Sequence, residues 1–85
     1  MEYAIKHKSS LHMRGDIETG EILPDGTLSI THTYSDGITH NHTITPDDTV
    51  IIFRDGEQRT KISAGQGYYD MMRKRTQYLA SLQAG

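Results

Sequence analysis

The chain has 85 residues, no cysteine and a formal net charge of −2, and apolar residues make up 34% of it. A chain this short buries only about 60% of its unfolded surface, so it supports one core and not two. Without cysteine it has no disulfides, no thiolate metal ligands and no cysteine nucleophile. The longest apolar run, Val50-Ile51-Ile52-Phe53, falls far short of the roughly 20 residues of a membrane-spanning helix. No signal-peptide stretch opens the sequence. The expectation is a soluble cytoplasmic protein, in a host cytoplasm if phage-encoded, with no membrane contact. Its apolar content lies below the globular average of about 45–50%, which implies a thin core and leaves room for a homodimer.

Along the chain, Tyr3, Ile5 and His7 alternate with Ala4, Lys6 and Lys8, the period of a half-buried strand. Residues 9–15 carry no readable period, and Arg14-Gly15-Asp16, which spells an adhesion tripeptide, reads as a tight turn. Turn chemistry then recurs at Thr19-Gly20, Pro24-Asp25-Gly26, Ser35-Asp36-Gly37, Pro46-Asp47-Asp48 and Asp55-Gly56. Segments rich in Thr, Ile, Val and Tyr lie between these turns, as in successive antiparallel hairpins.

The best-defined hairpin runs from Thr27 to Thr45. Leu28, Ile30, His32 and Tyr34 share one face of its first strand, and Ile38, His40, His42 and Ile44 share one face of its second. A three-residue loop, Ser35-Asp36-Gly37 with Gly37 left-handed, pairs Tyr34 with Ile38 and His32 with His40. The two-residue alternative would set Thr against Leu and Ile, and is rejected on that ground. Val50 to Phe53 is apolar on both faces, as in a central strand covered on both sides or one that meets a partner. Asp55-Gly56 turns the chain into Glu57–Ile62, with Thr60 and Ile62 inward and Arg59 and Lys61 outward.

After Ile62 the period changes. Ser63 and Gln66 fit a capping box and no proline follows, which predicts a helix over about 64–83. Gly65 and Gly67 each cost roughly 1 kcal/mol in a helix, so the regular part is expected to begin near Tyr68. Tyr68, Met71, Met72, Tyr78, Leu79 and Leu82 form one broad stripe, and Arg75 falls in the middle of it. A guanidinium there must snorkel, pair with an acid from the sheet, or face a partner. The fold class is therefore α+β: a single domain over 1–85 made of an antiparallel β-meander or small partly open barrel of about 5–7 short strands, closed by one C-terminal helix.

Three groupings carry chemistry. His32, His40 and His42, on one face of adjacent strands, could present three imidazoles to zinc and leave a position for water, the outline of a hydrolytic site. No orienting carboxylate is readable on that face, so structural histidines compete with that reading, and His7 and His12 have no fixed place in it. The second grouping is basic and aromatic: Arg59, Lys61, Tyr69, Arg73, Lys74 and Arg75, with Tyr68 and Tyr78, form a partner-binding surface that could also take nucleic acid. The third, Ser63-Ala64-Gly65-Gln66-Gly67, links strand to helix but lacks the residues of a phosphate loop. No pair of acids is placed for general acid–base work.

Charge is segregated along the chain. Residues 16–57 hold nine acids against Arg54 alone, and the flanks hold eight cations against Glu2 and Asp70. This predicts a dipolar surface whose acidic side could imitate nucleic-acid phosphates, although Asp is also favoured in turns for its own sake. The functional expectation is a small non-catalytic regulator, inhibitor or assembly component of phage or mobile-element type, docking on a protein or nucleoprotein partner. It is expected to carry no cofactor, with zinc as the alternative.

Overall fold

The structure is a computed structural model and describes residues 1–7 and 16–83; the unreadable stretch 9–15, with Arg14 and Gly15, lies outside them. Six strands pair antiparallel in sequence order: β1 (Glu2–His7), β2 (Asp16–Ile22), β3 (Leu28–Thr33), β4 (Thr39–Ile44), β5 (Thr49–Arg54) and β6 (Glu57–Ser63). One helix, α1 (Tyr68–Gln83), follows. This is the expected α+β meander, and with β1 and β6 at its two ends the sheet stays open instead of closing into a barrel.

The β3–β4 hairpin has the expected register, with His32 opposite His40 and Ile30 opposite His42. Tyr34 N–H donates to Ile38 C=O at 2.8 Å, and Gly37 sits at a φ of 92° that side-chain-bearing residues rarely adopt. At the next tight turn Asp55 and Gly56 have φ values of 50° and 82° and Arg54 pairs with Glu57, the two-residue geometry that matches strand twist. The β5–β6 register shifts between Ile52 and Phe53, leaving Arg59 as the extra residue of a bulge.

Thr19-Gly20 is not a turn. Gly20 lies inside β2, between Tyr3 of β1 and Ile30 of β3. A Cβ there would stand 2.3 Å from the Tyr3 ring, so the glycine serves to let that ring lie flat against the strand. Nor is Glu57–Ser63 half-buried: every residue of β6 is exposed, Ile62 included at 47%. Arg59 and Lys61 on this edge discourage strand addition by another chain.

The helix crosses the sheet. Its first turns pack Tyr68, Tyr69 and Met72 on Leu28, Ile44 and Val50, and at its far end the Gln83 carboxamide bonds both the N–H and the C=O of Ala4 on β1. Its rotation differs from the expected one. Thr76 and Ala80 are the buried residues, whereas Met71, Tyr78 and Leu82 of the apolar stripe are 56%, 62% and 61% exposed. Polar anchors at three heights of the helix set that rotation: Asp48 and Tyr69 at the start, Arg75 in the middle, Gln83 at the end.

The helix start is capped from a distance. No Ser63–Gln66 box forms at it; Asp48, in the β4–β5 turn at a φ of 66°, accepts from Tyr69 N–H at 2.7 Å and Gly67 N–H at 3.3 Å. Its carbonyl also accepts from Ala64 N–H at 2.8 Å. One aspartate thus holds the Tyr69 amide of the first helical turn and two amides just before the helix, and ties them to the sheet. Asp48→Ala should lower the unfolding free energy by about 1–2 kcal/mol, and Asp48→Asn, which keeps an acceptor, should lose distinctly less; chemical denaturation of both variants measures the difference.

Candidate functional site

The side chains with chemistry gather on the helix side of the sheet. Strand alternation puts Tyr3, Ile5 and His7 of β1 there, with Asp16, Glu18 and Gly20 of β2, Ile30 and His32 of β3, and His40 and His42 of β4. Register sets His7 opposite Asp16 and Glu18 opposite His32. The bonds then run diagonally: His7 Nε2 meets Glu18 Oε1 at 3.3 Å, and His32 Nε2 meets Asp16 Oδ2 at 3.2 Å. Asp16, 1% exposed, also accepts from Ser35 N–H at 3.1 Å.

Glu18 is the centre of this group. Arg75 reaches it from the helix with two parallel bonds, Nη1 to Oε2 at 2.7 Å and Nη2 to Oε1 at 3.1 Å, and the Tyr3 hydroxyl donates to Oε2. Burial alone would push the Glu18 carboxyl up, but the hydrogen bonds from Arg75 and Tyr3 outweigh it and hold the pKa at about 2. Burial and the neighbouring carboxylate push the Tyr3 hydroxyl up to about 12. Arg75 therefore pairs with an acid from the sheet, as one of its three sequence-level options requires.

An aromatic row continues from this centre across the sheet. His7 stacks on His32 with ring centres 5.3 Å apart, His32 meets Tyr34 at 4.6 Å, and Tyr34 meets His40 edge-on at 5.2 Å. Glu18, Ile30, His32, Tyr34, His40 and His42 line a pocket of about 200 Å³. Among the described residues no hydroxyl hydrogen-bonds to a histidine, and no buried side-chain nitrogen or oxygen lacks a partner.

The expected histidine trio is on one face, but Tyr34 wedges between His32 and His40. Among the described residues, the donor atoms that converge to within 4.8 Å belong to His7, Glu18 and His32 instead. The orienting carboxylates that seemed missing are Asp16 and Glu18. Alternation within Asp16-Ile17-Glu18 is the signal that could have found them, had Thr19-Gly20 not read as a turn.

The basic surface is largely matched within the chain. Arg73 and Lys74 both pair with Asp70, Arg59 with Glu57 and Arg75 with Glu18, and the Tyr69 hydroxyl donates to Gly26 C=O at 2.5 Å. Lys61 stays exposed on β6. The turn acids do not share one side either. Asp25 and Asp47 sit at one end of the sheet, Asp36 and Asp55 at the other, and each accepts a backbone N–H of its own or the adjoining turn region. Family models, curated proteins and solved structures were compared with the chain, and none matches it.

Replacing Arg75 by Met leaves Glu18 buried without its counter-charge and should cost about 2–3 kcal/mol of stability. Adding Glu18→Gln should recover part of that loss, which chemical denaturation of the single and double variants will show. A second prediction concerns pH. Burial, and then His40, hold the His42 pKa below the ordinary 6.5, so the unfolded chain takes up a proton there that the folded one resists. The stability tied to neutral His42 is full above 6.5 and is lost as the pH falls below it. Denaturation curves on either side of that value should show the loss, and His42→Leu should reduce it.

Proposed function

We propose that this chain is a small non-catalytic binding module that docks on a protein partner through the exposed flank of its helix. The observation that carries this reading is the position of Met71, Tyr78 and Leu82. Among the described residues few apolar side chains are fully buried, yet three large ones stay on one helix flank, at the spacing by which a helix presents a seam. Aromatic and aliphatic side chains so placed are the anchors of protein interfaces.

Charge favours a protein over nucleic acid as the partner. Four of the cations expected to hold phosphates have acidic neighbours, and the net charge is −2, so little positive potential is left to attract a polyanion. The scatter of the turn acids to both ends of the sheet likewise gives a phosphate-mimicking surface no support. No helix is long and apolar enough to cross a membrane among the described residues.

The test compares the parent with a Met71→Ser, Tyr78→Ser, Leu82→Ser variant. All three side chains lie outside the core, so the variant should unfold close to the parent midpoint. A protein captured by the parent, lost by the variant and rebound in a defined ratio from purified components supports the reading. Equal capture by both chains refutes it, and a dimer that the variant abolishes would make the partner a second copy.

A further inference from the structure

We infer that His7, Glu18 and His32 form a binding site for a divalent transition-metal ion of the zinc type, a site independent of the docking flank. The three residues come from three adjacent strands, and one donor atom of each lies within 4.8 Å of the others. The His7 Nε2 to Glu18 Oε1 separation of 3.3 Å is long for a charge-assisted hydrogen bond. It equals the edge, about 3.3 Å, of a tetrahedron whose bonds are the 2.0–2.1 Å of zinc to imidazole nitrogen or carboxylate oxygen.

The surroundings have the form of a metal site's outer partners. Tyr3 and Arg75 Nη1 hold Glu18 Oε2 and Arg75 Nη2 holds Oε1 at 3.1 Å, fixing the carboxylate with Oε1 toward His7, and the buried Asp16 orients the His32 ring. Carboxylate–histidine contacts of this kind set ring orientation and tautomer in metal centres. The donor set, two imidazoles and one carboxylate with no sulfur, suits zinc and its spectroscopic substitute cobalt, and leaves a coordination position for water. His7 and His32 keep part of their side-chain surface in solvent, 26% and 19%, which provides entry for the ion.

His40 and His42 are outside this set, and that separates it from a site made of His32, His40 and His42. The Tyr34 ring contacts both the His32 and the His40 rings, and His42 sits one pair further along, opposite Ile30.

The experiment is a Co²⁺ titration of the full chain, purified without a polyhistidine tag and followed by the visible absorption of the bound ion. We expect saturation at one equivalent and displacement by Zn²⁺. His7→Ala and His32→Ala should abolish the signal, with circular dichroism showing the sheet intact. His40→Ala and His42→Ala should leave it unchanged, and Asp16→Asn should weaken binding about 10–100-fold. Absence of saturable binding overturns the inference. So does loss of binding in the His40 and His42 variants with retention in His7→Ala, which would restore the other trio. Neither outcome bears on the helix flank, whose variant leaves these ligands untouched.

Discussion

The bond between Arg75 and Glu18 governs how the two layers of this protein meet. A sheet with one helix on it can bury that helix at many rotations, since apolar contacts are not directional. A two-pronged guanidinium–carboxylate contact is directional. Once Arg75 must reach Glu18, Tyr69 and Met72 fall over the end of the sheet where Leu28, Ile44 and Val50 gather, and Thr76 and Ala80 take the closest approach. The apolar flank is turned away as a result, so directional polar contacts, this ion pair together with the anchors at Asp48 and Gln83, and not a packing preference decide which face of the helix meets solvent.

The same pair connects the helix to the row of histidines. Glu18 accepts from Tyr3, Arg75 and His7, and His7 lies against His32, which Asp16 holds. Disturbing the helix at Arg75 therefore changes the environment of residues on three strands. Buried ionic groups of this kind add little net stability compared with an apolar replacement, but they define a single arrangement. With so few fully buried apolar side chains among the described residues, the core alone leaves that arrangement loosely determined.

The parts of the fold that were legible in the sequence are those set by local chemistry. The β3–β4 register followed from matching apolar faces and a left-handed Gly37, and the start of the helix near Tyr68 followed from the cost of Gly65 and Gly67. What escaped depends on residues far apart in the chain. Gly20 reads as a turn because its reason for being glycine is a tyrosine 17 positions earlier. Asp48 reads as one more turn acid because the amides it caps are about 20 residues away. His7 had no place until β1 was paired, since its partners lie beyond a stretch with no readable period. The helix stripe held for Tyr68 and Met72, which pack on the core, and failed for Met71, Tyr78 and Leu82, because periodicity counts apolar residues and takes no account of a buried carboxylate.

The contact between Gln83 and Ala4 gives the two borders of the sheet different characters. A carboxamide is an amide group on a side chain, and it presents an N–H donor and a carbonyl acceptor side by side. By bonding both the N–H and the C=O of Ala4, a single glutamine does for one rung of β1 what a seventh strand would do for the whole edge. The border at β6 is guarded by charge, a defence that salt screens; the border at β1 is guarded by occupancy, which salt leaves largely alone. Rising ionic strength would thus expose the two sides of one sheet unequally to strand addition.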